Sequence, residues 1–385
     1  MNQFEGNITT KLPQTGTSIF AVMSGLANEY NAVNLSQGFP DFPISDELIE
    51  LVHHFMKKGY NQYAPMPGVP PIRKALAHMF KKNHGAVYDV DKEITITAGA
   101  TQAIFTAISA FIAKDDEVII FEPAYDCYAP SVIVNGGLVK YSQLQFPDYS
   151  INWDELPRMI SSRTKMIIIN SPHNPSGSII SKDDMIRLEK LIKGRDVIVL
   201  SDEVYEHLIF DKFQHESVAR FPELASKSIV VGSFGKTFHT TGWKTGFVLA
   251  PENIMAEYRK VHQFVVFAAN TPIQYAVAEY LKNPKNYKSL SRFYQKKRDF
   301  FLSSIKNSKF KPLTNHGTYF QLLDYSSISD EKEMDMAVRL VKEYGIASVP
   351  VSSFYRTHDN NHTLRFCFAK KESTLKKAGE ILCKI

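Results

Sequence analysis

Two kinds of hydrophobic pattern alternate along this chain. Short apolar runs indicate buried strands, and segments with apolar residues every three or four positions indicate helices. The helical pattern is clearest over residues 46–58, where Ser45 precedes it as a predicted N-cap and Gly59 follows it. One face of this helix carries the apolar side chains of Leu48, Leu51, Val52, Phe55 and Met56. The alternation predicts an α/β protein with a largely parallel, buried central sheet.

Five of the apolar runs lead into polar residues. They are EITIT (93–97), EVIIF (117–121), KMIIIN (165–170), DVIVL (196–200) and SIVVG (228–232). The segments that follow them begin with AGAT, EPAY, SPHN, SDEV and SFGK, respectively. Ligands of open parallel sheets bind at the carboxyl ends of the strands. We therefore expect these five strand ends to converge on one site.

The pattern changes after about residue 285. A helical segment at 333–345 is followed there by the strand-like runs IASVPVS and TLRFCFA. We predict a large domain over residues 46–284 and a smaller α+β domain over residues 285–385. Residues 1–45 have no apolar core of their own. They are predicted to form an N-terminal arm that either joins the smaller domain or crosses a subunit boundary.

The composition is that of an ordinary globular protein. Of the 385 residues, 44% are hydrophobic and 22% are charged, with a net charge of +5. The basic residues form no dense stripe of the kind that nucleic-acid binding requires. No apolar stretch approaches the roughly 18 residues of a membrane helix, and the first residues lack the apolar core of a signal sequence. We expect a cytoplasmic protein without nucleic-acid or membrane partners.

The three cysteines indicate neither a disulfide framework nor a metal site. Cys127, Cys367 and Cys383 are few and widely scattered. A reducing compartment is expected from this usage. No set of His, Asp and Glu residues has the spacing of metal ligands, so we expect no bound metal.

Gly99 precedes a segment with a helical apolar stripe, so a helix is predicted to begin there. A helix that begins at a glycine exposes free backbone N–H groups and the positive end of its dipole, which favour a phosphate group. A tight turn without a ligand is the alternative explanation of Gly99. The surrounding residues match neither the dinucleotide-binding nor the P-loop glycine pattern.

Three polar residues near strand ends have both a structural and a chemical interpretation. Asp202 follows an apolar run, where its carboxylate could cap a helix, bind a metal or pair with a cationic nitrogen of a ligand. Asn174 lies between prolines that hold its amide in place, although an Asx turn also fits. Lys236 lies among small residues, where desolvation would lower the pKa of its amine and make it a nucleophile. An exposed lysine is the alternative there.

Arg365 lies inside the apolar run TLRFCF, where alternation puts it on the opposite face from Leu364 and Phe366. An arginine in this position requires a carboxylate partner, either in a structural salt bridge or on a ligand.

These residues together fit one cofactor, pyridoxal 5′-phosphate. This cofactor requires an amine for its aldehyde, a carboxylate for its ring nitrogen and donors for its phenolate oxygen. It also requires a phosphate cradle and a flat group over its ring. Each signal is weak by itself, and the set as a whole points to this chemistry.

Three motifs resemble those of a known family. NSPHNPSG (170–177), SDEVYEH (201–207) and SFGKTFHTTGWKTGF (233–247) have the order and spacing of the class I and II aminotransferases of fold type I. Four more resemble the kynurenine–oxoglutarate transaminase group and its bacterial methionine aminotransferases: NLSQGFPDFP (34–43), NQYAPMPGVPPIRKAL (61–76), EPAYDCYAP (122–130) and LRFCFAKKESTL (364–375). The resemblance extends over nearly the whole chain from about residue 11. It implies a large domain with a mostly parallel central sheet flanked by helices, and a smaller α+β domain.

The resemblance implies a role for each residue around the cofactor ring. Lys236 bonds to the cofactor aldehyde and then carries the substrate's α-proton. Asp202 keeps the pyridine nitrogen protonated. Asn174 and Tyr205 donate hydrogen bonds to the phenolate oxygen, and Tyr125 stacks on the ring.

The resemblance also implies how the phosphate is held. The helix start at Gly99, Ala100 and Thr101 supplies donors, joined by Ser233 and Lys244. Many relatives carry arginine where Lys244 stands, but a lysine also neutralises phosphate. Tyr63 reaches the phosphate of the neighbouring subunit, which implies a homodimer with shared active sites.

The substrate site follows from the same resemblance. Arg365 binds the substrate α-carboxylate, helped by Asn174 and by the backbone N–H of Gly38. Phe267 lines the pocket from the partner subunit, and Ala268 replaces a histidine found in many relatives. Substrate preference therefore cannot be copied from them.

The implied reaction is a ping-pong transfer of an amino group to a 2-oxo acid. The expected donor is a sulfur-containing or aromatic L-amino acid, with methionine favoured, because no second arginine is placed for a distal carboxylate. Two alternatives remain open. One is a cysteine-S-conjugate or cystathionine β-lyase, and the other is kynurenine–oxoglutarate transamination as the main activity.

Overall fold

A computed structural model describes residues 3–13 and 15–385. Its helices are α1 (Ile19–Glu29), α2 (Asp46–Lys57), α3 (Pro70–His84), α4 (Ala100–Phe111), α5 (Tyr128–Val134), α6 (Leu156–Met159), α7 (Lys182–Ile192), α8 (Pro222–Ala225), α9 (Phe234–Thr237), α10 (Glu252–Val265), α11 (Thr271–Tyr280), α12 (Lys285–Lys288), α13 (Leu290–Ser304), α14 (Glu333–Tyr344) and α15 (Glu372–Leu382).

The strands are β1 (Val33–Asn34), β2 (Ile94–Thr97), β3 (Glu117–Glu122), β4 (Leu138–Gln143), β5 (Thr164–Asn170), β6 (Ile198–Asp202), β7 (Ser228–Ser233), β8 (Gly246–Leu249), β9 (Lys311–Pro312), β10 (Phe320–Asp324), β11 (Ile346–Ala347), β12 (Val349–Pro350) and β13 (Thr363–Cys367).

The central sheet has seven strands in the order β2-β8-β7-β6-β5-β3-β4. Strand β8 is antiparallel to both of its neighbours, and the other neighbouring pairs are parallel. Alternate residues of β3 enter two different hydrophobic clusters: Val118 and Ile120 join one, Ile119 and Phe121 the other. Because both faces are covered, the strands are continuous apolar runs in the sequence. The predicted α/β class with a mostly parallel sheet is confirmed.

All five predicted runs form strands of this sheet, with small shifts at their ends. Strand β6 begins at Ile198 and ends with Asp202, so this carboxylate belongs to the strand and does not follow it. Two strands carried no clear signal. Strand β4 is a partly exposed edge strand that contains Lys140 and Gln143, and β8 has only four residues. Neither has the long apolar run of a central strand.

The predicted helix near residue 46 is present, but its cap differs from the prediction. Ser45 occupies the N-cap position of α2, yet its side chain makes no capping hydrogen bond. Asp46 and Glu47 lie in the first turn, where their charges favour the helix dipole. The structure also contains the predicted helix start after Gly99, which has a φ of 81° that favours glycine.

The C-terminal part contains a four-stranded antiparallel sheet with the order β12-β13-β10-β9. A separate parallel pair joins β1 to β11, with Val33 opposite Ile346. Helix α1 packs against α14 and β11. Residues 19–34 therefore pack with this part of the chain. The bounds of the two domains stay a prediction. Within the described residues, no helix is long and apolar enough to cross a membrane.

Candidate active site

A cavity of about 170 Å³ lies at the carboxyl ends of the central strands. Its lining includes ten predicted site residues: Gly99, Ala100, Thr101, Tyr125, Asn174, Asp202, Tyr205, Ser233, Lys236 and Lys244. These residues come from the ends of β2, β3, β5, β6 and β7 and from the loop before β8. The five strand ends therefore converge, as their shared direction in the sheet requires.

Lys236 points its amine into this cavity from the short helix α9. Ser233 caps the helix, and its side-chain oxygen accepts a hydrogen bond from the Lys236 backbone N–H at 3.3 Å. The Nζ atom donates to the hydroxyl of Tyr319 at 3.1 Å. Burial lowers the pKa of the amine to about 8. A substantial neutral fraction near neutral pH distinguishes this lysine from the exposed lysine of the alternative interpretation.

Asp202 is a buried carboxylate whose protein partners are uncharged. Tyr128 Oη donates to Oδ2 at 2.6 Å, and the Val204 backbone N–H donates to Oδ1 at 3.3 Å. Burial raises the pKa of Asp202 to about 6, although these hydrogen bonds act in the opposite direction. In the part of the chain that the structure describes, no cluster of His, Cys, Asp and Glu is arranged to hold a metal. The carboxylate is thus free to pair with a cationic group of a ligand.

The start of α4 and Lys244 form the positive end of the cavity. Gly99 makes no side-chain cap, and the first N–H groups of any α-helix have no acceptor within the helix. Lys244 lies next to Gly99, because a Cβ built on the glycine would lie 3.4 Å from Lys244 Cε, in ordinary contact. Ser233, Thr241 and Thr245 also line this region. Free N–H groups, hydroxyls and an ammonium together suit a phosphate dianion.

Two tyrosine side chains form the walls of the cavity. The hydroxyl of Tyr125 lies 3.5 Å from Thr101 Oγ1, next to the helix start. Tyr205 is buried, and Lys236 Nζ lies 5.8 Å from the centre of its ring. Burial raises the pKa of both phenols, so both stay protonated and able to donate a hydrogen bond at neutral pH.

Arg365 lies beside the cavity on β13 and is joined to it through Asn174. Its Nη1 donates to Asn174 Oδ1 at 2.6 Å, and its Nη2 donates to the carbonyl oxygen of Ser36 at 3.2 Å. The Nε atom is buried without a hydrogen-bond partner. The expected carboxylate partner is therefore not supplied by the residues that the structure describes. Phe320 stacks on the guanidinium, with 3.8 Å between its ring centre and the Arg365 Cζ atom.

Gly38 is linked to Lys236 through the hydroxyl of Tyr319. Its carbonyl oxygen accepts a hydrogen bond from Tyr319 Oη at 2.5 Å. A Cβ on Gly38 would lie only 2.8 Å from the Phe320 ring, so this close approach requires glycine. The structure thus brings Gly38 to the edge of the cavity, although it is not part of the lining.

Tyr63 and Phe267 are the two predicted site residues that lie away from this cavity. Their rings meet edge to face at 5.1 Å, and they are 83% and 53% exposed, respectively. Phe264, at 86% exposed, lies three positions before Phe267. Within one chain these aromatic residues contribute nothing to the cavity.

Three residues that touch the site were not predicted from the sequence. Tyr128 and Tyr319 are aromatic residues whose hydroxyls bind Asp202 and Lys236, respectively. Asn170 lines the cavity, and its side chain accepts from the Asn174 backbone N–H and donates to the Asp202 carbonyl. The polar end of the run KMIIIN was a usable signal for Asn170, whereas the two tyrosines resemble ordinary core aromatics in the sequence.

The chain is similar to several known proteins. The sequence matches the family described as aminotransferase class I and II over residues 30–382. It is 45% identical over 374 residues to a methionine aminotransferase of Escherichia coli, covering 97% of each chain. It is 35% identical over 394 residues to kynurenine–oxoglutarate transaminase 1 of Homo sapiens, covering 93% of each. A crystal structure from Escherichia coli, described as identifying a methionine aminotransferase function, superposes with a TM-score of 0.97. It has 44% identity and covers 98% of this chain and all of that chain.

Proposed function

Since the chain belongs to the class I and II aminotransferases, we propose that pyridoxal 5′-phosphate binds around Lys236 and that methionine is an amino donor. One observation carries the cofactor proposal. A partly buried amine with a lowered pKa lines the same small cavity as a buried carboxylate that has no salt-bridge partner among the described residues. Two such groups are costly to bury, and a ligand that uses both accounts for their retention.

The residues present fit this cofactor. Lys236 supplies the amine, Asp202 the carboxylate for a ring nitrogen, and Lys244 with the start of α4 the phosphate cradle. When bound, the cofactor supplies an aldehyde that condenses with amines and a ring that takes up electrons from the substrate's α-carbon. Asn174 and Tyr205 can donate hydrogen bonds to a phenolate oxygen, and Tyr125 offers a flat face to the ring.

Lys236 acts as the acid and base of the reaction in this proposal. With an amine pKa of about 8, a fraction of about a tenth is neutral at pH 7 and can accept the α-proton of the substrate at Nζ. The protonated amine can then donate the same proton again, so that Lys236 Nζ acts first as the base and then as the acid. The amine is partly buried in the cavity, which limits the water that could take up the proton.

Asp202 holds its charge where a protonated ring nitrogen would balance it. The carboxylate is oriented by Tyr128 and by the Val204 N–H, so it does not have to reorganise when a cation approaches. Such a cation would stabilise the ionised form of Asp202 and lower its pKa below the value of about 6 that burial produces in the protein alone.

Arg365 is proposed to bind the α-carboxylate of the substrate. Asn174 and the Ser36 carbonyl fix the guanidinium, while Nε lacks a partner. The rings of Phe20, Phe320 and Phe354 surround its cationic end and reduce the local dielectric. Among the described residues that line the cavity, the cations are Lys236 and Lys244, and neither is free for a second carboxylate. This arrangement favours an apolar side chain such as that of methionine over an acidic one.

We further propose that two chains form a dimer with shared active sites. Tyr63, Phe264 and Phe267 are exposed aromatic residues, here called the aromatic surface, and the rings of Tyr63 and Phe267 are in contact. Exposed aromatic residues are typical of an interface. In the dimer Tyr63 would reach the phosphate of the neighbouring subunit, and Phe267 would line its substrate pocket.

A panel of amino acids tested against several 2-oxo acids decides the substrate. With an aromatic 2-oxo acid as acceptor, we expect methionine to be converted to its 2-oxo acid faster than aspartate or glutamate is converted to theirs. Kynurenine belongs in the panel because of the human relative. If S-conjugates yield pyruvate and thiol faster than methionine yields any oxo acid, the main activity is a β-lyase and the transamination proposal for this substrate is wrong.

A further inference from the structure

The hydroxyl of Tyr319 lies between the Lys236 amine and the segment of residues 34–43. Lys236 Nζ donates to Tyr319 Oη at 3.1 Å, and the same hydroxyl donates to the Gly38 carbonyl at 2.5 Å. Over the described ranges, this is the single hydrogen bond that the Lys236 amine makes. Tyr319 is thus the polar partner that the protein itself offers to this amine.

The ring of Tyr319 is held from several sides. It is fully buried and meets Tyr205 and Phe320 edge to face, at 5.1 and 4.9 Å between ring centres. Tyr294 packs on it at 5.8 Å. Tyr319 directly precedes β10, and β10 pairs with the strand that carries Arg365, with Leu322 opposite Arg365. The position of the Tyr319 hydroxyl is therefore set by the same sheet that carries Arg365.

We propose that Tyr319 is a positioning residue whose hydroxyl orients the free Lys236 amine and couples that orientation to residues 34–43. The inference rests on the proposed function, in which Lys236 carries the substrate proton, and on the contact of Gly38 with the substrate carboxylate that the family resemblance implies. It adds a residue directly before the C-terminal sheet to the group that controls the amine.

The directions of the two hydrogen bonds of the Tyr319 hydroxyl explain how it orients the Lys236 amine. A phenol has one proton, and Tyr319 donates it to the Gly38 carbonyl, so only oxygen lone pairs face Lys236. The amine must then point an N–H at Tyr319, and its own lone pair points elsewhere when it is neutral. A displacement of residues 34–43 would turn the hydroxyl and with it the amine.

Several charged or titratable groups act on the same amine and must be separated from this contact. They are Asp202 on β6, Arg365 and Cys367 on β13, and Lys244 before β8. The substitution Tyr319→Phe leaves all of these in place and removes only the hydroxyl. Because the hydroxyl accepts from the charged ammonium, its loss disfavours the protonated form of Lys236.

The test measures the amine directly in the cofactor-free protein. Lys236 is labelled with acetic anhydride across a range of pH, and the extent is read by peptide mass spectrometry. We expect the pKa of Lys236 in Tyr319→Phe to lie about one unit below that of the wild type. In the holoenzyme we expect kcat for amino transfer to fall about tenfold, because the base is no longer oriented.

Tyr325→Phe is the matched control. Tyr325 is also fully buried, and its hydroxyl also donates to a backbone carbonyl, that of Glu331 at 2.7 Å. This variant loses an equivalent buried hydrogen bond and should leave the Lys236 pKa unchanged and kcat within about twofold. An unchanged Lys236 pKa in Tyr319→Phe overturns the inference, even if its activity falls. A wild-type protein that transfers no amino group with pyridoxal 5′-phosphate overturns the proposed function instead, and the labelling curve still decides whether Tyr319 binds the amine.

Discussion

Asn174 Oδ1 accepts a hydrogen bond from Arg365 Nη1 at 2.6 Å, and this contact joins the cavity at the central sheet to β13 of the C-terminal sheet. Asn174 lines the cavity, whereas Arg365 lies behind it with an Nε atom that has no partner. The proposed carboxylate site is therefore built from both sheets. Substitution of Arg365 should weaken substrate binding more than cofactor binding, whereas substitution of Asn174 should weaken both.

The substitution Arg365→Lys tests this carboxylate site. Lysine keeps the charge but loses the planar fork that binds a carboxylate through two N–H groups. We expect KM for methionine to rise about 10- to 100-fold, with a smaller change in kcat. Arg298→Lys is the control, since Arg298 is also buried but forms a salt bridge with Asp211 at 2.6 Å. Steady-state kinetics of both variants give these constants. The assignment would be contradicted if Arg298→Lys raised KM as much as Arg365→Lys does.

The buried charge of Asp202 should make the cofactor-free protein less stable at alkaline pH. The pKa of about 6 in the folded chain lies above the usual value of 3.8. The stability associated with the neutral carboxyl is therefore present below about pH 4 and is lost as the pH rises through about 6. Asn cannot ionise, so we expect cofactor-free Asp202→Asn to melt above the wild type at pH 8, by up to about 3 kcal/mol in free energy.

This difference should shrink at pH 5, where the wild-type carboxyl is largely protonated. The same variant should lose at least about 100-fold in amino transfer, because a neutral amide cannot balance a ring cation. Calorimetry at the two pH values measures the first effect, with the exposed Asp154→Asn as the control. An Asp202→Asn protein that melts below the wild type at pH 8 would show that the carboxylate stabilises the empty site.

Lys244 should contribute to cofactor affinity and little to chemistry. Lys244→Ala removes the ammonium beside Gly99, and we expect the Kd for pyridoxal 5′-phosphate to rise about 10- to 100-fold. Lys244→Arg restores the charge and should stay within a few-fold of the wild type. Titration of the cofactor-free protein, followed by its absorbance, gives both constants. Equal affinity in Lys244→Ala and the wild type would place the phosphate elsewhere.

The aromatic surface of Tyr63, Phe264 and Phe267 should be the dimer interface. A charge at Phe264, which is 86% exposed, costs a single chain little but would be buried in a dimer. We expect Phe264→Asp to sediment as a monomer. Its activity should fall, because each active site would then lack the Tyr63 of the neighbouring subunit. Val87→Asp is the control, since Val87 is 74% exposed in the loop after α3. Dissociation of Val87→Asp alone, with Phe264→Asp still dimeric, would contradict this surface.

The sequence predicts the cavity better than it predicts the contacts within it. Continuous apolar runs identify strands buried on both faces, and a parallel sheet forces their polar ends to one edge. This reasoning places Gly99, Asn174, Asp202 and Lys236 together before any distance is known. The edge strand β4 and the short β8 have no such run, so local pattern does not show them.

The hydroxyls of Tyr128 and Tyr319 could not be assigned in the same way. An aromatic residue in an apolar segment satisfies the core pattern, and the partner of its hydroxyl depends on which distant segment approaches it. Tyr319 meets Lys236, 83 positions away, and Gly38, 281 positions away. Arg365 is an intermediate case, because alternation marks it as unusual but does not reveal Asn174 as its partner.

Borohydride reduction of the protein with pyridoxal 5′-phosphate, followed by peptide mapping, tests the central proposal most directly. Reduction fixes the cofactor on whichever amine it has bonded. We predict a protein that is yellow with the cofactor, loses this colour on reduction and carries the fixed cofactor on Lys236, and a Lys236→Ala variant that retains none. A fixed cofactor on Lys244 or another lysine, or full transaminase activity in Lys236→Ala, would contradict the account.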